Sequence, residues 1–178
     1  MCGLIGTIGF KDDSKLNLKT LSHRGPDSMG KWNSLDNEFP VALGHTRLAI
    51  LDLTAAGNQP LLTEDNRFVF VYNGEIYNFA ELRQVLEQAG HIFSTHSDTE
   101  VIVHAYEEYG DAFPTVLDGM FGFAVWDARR QCLLLGRDRF GKKPLVYAEL
   151  GSRILFASEL QSLLSAPEVP REIDFEAM

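Results

Sequence analysis

The sequence predicts an α+β domain of layered antiparallel sheets. Strand-like apolar runs cluster on either side of a pair of helical segments, and the later strands are joined by hairpin-like links. The chain has 178 residues, 45% of them hydrophobic. That is enough for one domain with a full core and no covalent staples.

Residues 4–10 read as a buried strand in which Gly6 and Gly9 allow close backbone approach. A short helix is expected over 16–21. His23-Arg24-Gly25-Pro26-Asp27 reads as a loop because of its Gly-Pro pair. Residues 41–48 and 68–72 read as strands. Asn78 is placed to cap a helix, with Glu81 completing a capping box. Phe79, Leu82, Leu86 and Ala89 follow at helical spacing, and Gly90 supplies the stop. A second helix begins at Ser97 or Asp98, carries Val101, Ile102, Ala105, Tyr106 and Tyr109 on its apolar stripe, and ends at Gly110. A shorter helix is expected over 112–117.

Strands over 120–126 and 131–137 flank a turn at 127–130. Residues 145–149 and 153–157 form a hairpin around Gly151, and 158–164 form a closing helix. Residues 1–165 are read as the domain. Residues 166–178, with Pro167 and Pro170, are read as a linker.

The formal net charge of -9 and pI near 5.0 argue against nucleic acid, whose phosphates require a basic face, and against an anionic membrane surface. Two cysteines are too few for a disulfide framework and fit a reducing compartment. Cys132 lies in an apolar run and is expected in the core. No secretory signal and no apolar run of about 18 residues is visible, so a cytoplasmic location is expected. His23, His45, His91, His96 and His104 match no zinc spacing, and no metal site is expected from them.

Cys2 draws attention by its position. A small residue there lets the initiator methionine be removed, placing a thiol and a free α-amine on one residue. The amine titrates near 7.7–8.0 and the thiol near 8.5 in unperturbed form, so a neutral amine can take the thiol proton directly or through water. An accidental cysteine is the competing reading. Asn73-Gly74 is also a hairpin signal, but a helix start follows it and not a returning strand. Its other reading is an oxyanion hole made of the Asn73 amide and the Gly74 N–H. Arg47 is either a surface arginine or a bidentate partner for a carboxylate. Asp98 is either an N-cap or the partner of an ammonium, and capping could be divided between Ser97 and Asp98. Taken together these groups suit an α-amino acid with a side-chain carboxamide.

Met1-Cys2-Gly3-Leu4-Ile5-Gly6 resembles the start of class II glutamine amidotransferase domains, of the N-terminal nucleophile hydrolase kind. The segments 23–27, Arg47-Leu48-Ala49-Ile50, 72–78, Ser97-Asp98-Thr99-Glu100, and Arg137-Asp138-Arg139-Phe140-Gly141 followed by Lys143-Pro144-Leu145 resemble the glutamine-hydrolysing asparagine synthetases in particular. Leu48 and Glu75 set the chain apart from the sugar-isomerising and purine-pathway branches.

The resemblance implies a four-layer α/β/β/α sandwich of two antiparallel sheets. It implies Cys2 as nucleophile, with Asn73 and Gly74 as the oxyanion hole. It places Arg47 and Asp98 on the α-carboxylate and α-amine of L-glutamine, and Ile50, Leu51 and Glu75 around the substrate. The loop Arg24, Gly25, Pro26 and Asp27 would close over it.

Those synthetases also carry a C-terminal domain with a Ser-Gly-Gly-x-Asp-Ser pyrophosphate loop, which this sequence lacks. A fragment of a longer protein is therefore expected. ATP and Mg²⁺ would belong to the absent domain, this domain would need no cofactor, and homodimerisation stays open. A non-catalytic glutamine-sensing or docking module, and a hydrolase of another amide, are the alternatives.

Overall fold

The computed structural model describes residues 1–11, 13–34, 40–50, 53–63, 65–95 and 97–172. Two sheets form its centre, and every strand pair in both is antiparallel. The first sheet contains β1 (Gly3–Ile8), β2 (Ser28–Asn33), β3 (Val41–Arg47), β8 (Val146–Leu150) and β9 (Arg153–Ala157), in the order β2-β3-β1-β9-β8. The second contains β4 (Leu61–Leu62), β5 (Phe68–Ile76), β6 (Gly119–Asp127) and β7 (Cys132–Arg137), in the order β4-β5-β6-β7.

Side-chain alternation along β5 explains the layering. Val69 and Val71 face the other sheet and meet Leu4, Leu43, Ala124, Trp126 and Phe156. Phe68, Phe70 and Tyr72 face the opposite way, onto α1 (Phe79–Gln88) and α2 (Asp98–Tyr109). Successive side chains on a strand point to opposite faces, so a strand covered on both sides becomes apolar throughout. On the far side of the first sheet, Ile5, Ala42, Leu155 and Ala157 pack against Leu18 and Leu21 of a 3₁₀ turn (Leu18–Leu21) and Leu163 of α3 (Leu160–Leu164). The result is the expected α/β/β/α sandwich. Burying each Leu, Val or Phe of these interfaces stabilises by about 1.5–3 kcal/mol before entropy is counted. Within the first sheet Gly6 leaves room for its cross-strand neighbour: an added β-carbon would lie 2.2 Å from the Phe156 ring on β9.

Both long helices form about where the periodicity places them, but their caps differ. Asn78 makes no capping hydrogen bond. Its side chain spans instead to a distant loop, donating to Val116 O (3.0 Å) and accepting from Asp118 N (2.9 Å). A tertiary contact has displaced the expected capping box. At the other end of α1 Gly90 has φ +103°. Gly90 N–H bonds to Glu87 O, and His91 N–H to Leu86 O, the reciprocal pair that ends a helix in a left-handed residue. Ser97 caps α2 by accepting from Thr99 N, and Gly110 follows at φ +55°. Residues Gly110–Val116 form a 3₁₀ helix.

Three further differences have simple causes. β2 was not anticipated because, as an edge strand, it alternates half-buried with exposed positions. β5 continues through Asn73-Gly74-Glu75 to Ile76, since β6 pairs with it along its whole length. Cys132 is only half-buried, because β7 is an edge strand. Beyond residue 165 the chain stays packed for several residues, with Ala166 and Val169 buried beside Leu163. Among the described residues no helix is long and apolar enough to cross a membrane.

Candidate active site

Both sheets contribute to one cleft of about 300 Å³. Cys2 immediately precedes β1, the central strand of its sheet. The register sets Gly3 opposite Thr46, which brings Cys2 beside the end of β3. Its Sγ accepts from Leu48 N at 3.4 Å and lies 3.7 Å from Leu48 O. Arg24 holds the Cys2 backbone from behind. Its Nε donates to Cys2 O (2.9 Å), and Nη1 donates to Glu159 Oε1 (2.8 Å).

Opposite stands β5. Asn73 is 1% exposed, and its Nδ2 has no hydrogen-bond partner among the described residues. A buried donor left without a partner costs about 1–3 kcal/mol, so its persistence points to a ligand oxygen. Gly74 follows, and only glycine fits there: a β-carbon would lie 2.3 Å from Met120 O on β6. The absence of a side chain keeps the strands paired while the backbone borders the cleft.

Arg47 is buried and not on the surface. Its Nη1 donates to Thr54 O (2.6 Å) and Asn58 Oδ1 (2.9 Å). Asp98 is the first residue of α2 and also buried, while Ser97 does the capping. Asp98 Oδ2 accepts from Tyr72 Oη (3.2 Å) and Ile76 N (3.4 Å). Burial raises its pKa above the ordinary carboxylate value, against the pull of these hydrogen bonds. Tyr72 is likewise pushed well up by burial and the neighbouring Asp98 charge, so its hydroxyl stays a donor. Beneath the site His45 Nε2 donates to Tyr72 O (3.0 Å), and burial lowers its pKa to about 4. It is a neutral structural imidazole.

A sequence model of the glutamine amidotransferase domain matches residues 1–178. The chain belongs to that family. It is 39% identical to a glutamine-hydrolysing asparagine synthetase of Bacillus subtilis over 98% of this chain and 29% of that protein. It is 43% identical to one of Sandersonia aurantiaca over 92% of this chain and 31% of that protein. The chain thus spans less than a third of these relatives' length. Among solved structures it matches a glutamine phosphoribosylpyrophosphate amidotransferase from B. subtilis, complexed with ADP and GMP. The TM-score is 0.76 at 25% identity, over 91% of this chain and 43% of that one.

In this amidotransferase domain the cleft gathers Cys2, Arg47, Ile50, Asn73, Gly74, Glu75 and Asp98. Leu51 lies outside the described residues. The loop of Arg24, Gly25, Pro26 and Asp27 does not line the cleft. It packs beside β3, where Asp27 N bonds to Arg47 O (3.0 Å) and Asp27 Oδ2 accepts from Ala49 N (2.8 Å).

Among the lining residues to which the sequence reading gives no site role are Gln59, Tyr72 and Lys143. Gln59 Oε1 accepts from Tyr72 N (2.6 Å), fixing a loop to β5. Lys143 is delivered by a turn knotted around Asp138. That carboxylate accepts from the N–H groups of Phe121, Phe140, Lys142 and Lys143. The Asp138 to Gly141 segment held the only linear hint of this turn.

Proposed function

We propose that this domain is the glutaminase half of an asparagine synthetase-like amidotransferase. It would hydrolyse L-glutamine and supply ammonia to an ATP- and Mg²⁺-dependent synthetase domain on its C-terminal side, joined through residues 166–178. The observation that carries the reading is the convergence in one cleft of the Cys2 thiol, the partnerless Asn73 amide, a buried arginine and a buried aspartate.

The chemistry follows from these positions. Arg47 and Asp98 hold the α-carboxylate and α-ammonium, two opposite charges that fix the amino acid end of glutamine. With Met1 removed, the Cys2 amine takes the thiol proton and Sγ attacks the carboxamide carbon. The oxygen gains negative charge and meets Asn73 Nδ2–H and Gly74 N–H. The Cys2 ammonium returns its proton to the departing nitrogen, releasing ammonia and leaving a γ-glutamyl thioester. Water attacks the thioester, the proton passes back to sulfur through the amine, and glutamate leaves. Glu75 and the backbone near Ile50 seat the substrate.

Peptide mass spectrometry after treatment with a glutamine-mimicking diazo-ketone tests the reading. The label is expected on Cys2 at a free N-terminus, and Cys2→Ala is expected to release no glutamate from glutamine. A label on another residue, or an active Cys2→Ala variant, would overturn it. Comparing glutamine with asparagine and simple acyl amides distinguishes a hydrolase of another amide.

A further inference from the structure

On the helical layer, away from Cys2, α1 and α2 bring together residues whose linear spacing signals nothing. His91 follows the glycine stop of α1, where its N–H is tied to Leu86 O. His104 and Glu107 lie one turn apart on α2. Both imidazoles turn the same atom to the same oxygen. His91 Nδ1 is 3.5 Å from Glu107 Oε2, and His104 Nδ1 is 2.7 Å from it. One ligand atom from each of the three side chains lies within 4.8 Å of the others. We propose that His91, His104 and Glu107 form a divalent transition-metal site of Zn²⁺ chemistry, tying the end of α1 to α2.

The donor set suits that ion. Two imidazole nitrogens and one carboxylate oxygen are borderline donors preferred by Zn²⁺, with water filling the fourth tetrahedral position. Bonds of about 2.0–2.2 Å place tetrahedral donors about 3.3–3.5 Å apart, close to the His91–Glu107 separation. The His104–Glu107 contact is a hydrogen bond that opens when the metal enters.

The outer nitrogens are also provided for. His91 Nε2 is 3.2 Å from Glu108 Oε2, and His104 Nε2 is 4.0 Å from Glu100 Oε1. The Glu108 carboxylate behind His91 favours the Nε2–H tautomer there, which frees Nδ1 for the metal, while His104 gives up the Nδ1 proton it donates to Glu107 when the metal enters. Glu100 is itself fixed by Ser94 and Thr95, each through N–H and hydroxyl. Burial opposes its ionisation, but these bonds prevail and hold its pKa below the ordinary value. Phe93 walls the site, its ring edge-on to His104 at 4.5 Å. Glu100, Glu107 and Glu108 concentrate negative charge there, which a dication relieves.

The test uses the Cys2→Ala chain, so that the terminal thiol cannot bind metal. Chelator-treated protein is titrated with ZnCl₂ by calorimetry, and Tm is followed against zinc. Binding of one equivalent and a zinc-dependent rise in Tm are expected. Glu108→Gln should weaken binding by about tenfold or more. His91→Ala with His104→Ala should abolish it. Glu107→Ala, at a partly exposed position, provides a variant whose metal-free Tm stays near that of the parent and whose zinc response is lost. No stoichiometric binding, or undiminished binding in these variants, would overturn the proposal.

Discussion

Gly57 lies directly against the guanidinium of Arg47: a β-carbon at position 57 would stand 2.3 Å from Nη2 and 2.8 Å from Cζ. The guanidinium is held there by Nη1 donating to Thr54 O and Asn58 Oδ1, so it can swing clear of an added methyl only by giving up those bonds. Gly57→Ala should therefore leave the fold intact but turn the guanidinium away from the position in which it is proposed to bind the substrate carboxylate. A charge-assisted hydrogen bond is worth about 1.5–3 kcal/mol, so KM for glutamine should rise by about tenfold or more, with a smaller change in kcat. Steady-state kinetics decide this, and an unchanged KM would remove Arg47 from the carboxylate role.

Asn73→Ala should do the reverse. Its amide is expected to bond mainly in the transition state, so kcat falls by about 10²–10³, or about 2.7–4 kcal/mol, while KM changes little. Thermal melting should show no loss attributable to Nδ2, which has no partner to lose.

Asp98→Asn should weaken glutamine binding yet stabilise the empty protein. Burial raises the Asp98 pKa in the folded chain. The folded state therefore binds protons more readily than the unfolded one between the ordinary and raised values. Stability is lost as pH climbs through that interval and the buried carboxylate becomes charged. The variant avoids this, so its Tm should exceed the parent's at neutral pH. The advantage should vanish below the ordinary carboxylate range, where both are uncharged. A Tm series against pH tests the sign.

His45 predicts acid sensitivity of the opposite sense. Its pKa falls from 6.5 to about 4 on folding, chiefly through desolvation. Between those values the unfolded chain takes up a proton that the native chain refuses, so stability drops as pH falls from 6.5 toward 4. The loss is on the order of 3 kcal/mol. Urea unfolding across this window should show a shallower slope in His45→Gln than in the parent.

How far the sequence was legible varies by element. Strands with both faces covered, such as β5, show as dense apolar runs, and Gly90 and Gly110 marked helix ends by the backbone angle they permit. The strand reading stops at Tyr72, short of Asn73-Gly74, since nothing local shows that β6 will pair as far as Ile76. Asn78 resembled a cap because the loop at Val116–Asp118, 38–40 residues away, was invisible. Cys2, Arg47 and Asp98 could be read from their chemistry. The place of Lys143 in the cleft and the His91–His104 pairing could not, since each depends on packing between segments distant along the chain.

Chain ends usually fray, yet Cys2 adjoins a strand hydrogen-bonded on both sides, to β3 and to β9. Cys2 itself lies just outside both ladders, held by Arg24 Nε at its carbonyl and by Leu48 N at its Sγ, but the segment that carries it is a central strand that does not fray as a free end would. Slow amide exchange at Leu4 to Gly6 is the measurable counterpart. The proposed nucleophile is thus tethered to a strand paired on both edges, and a substrate would have to accommodate to its position.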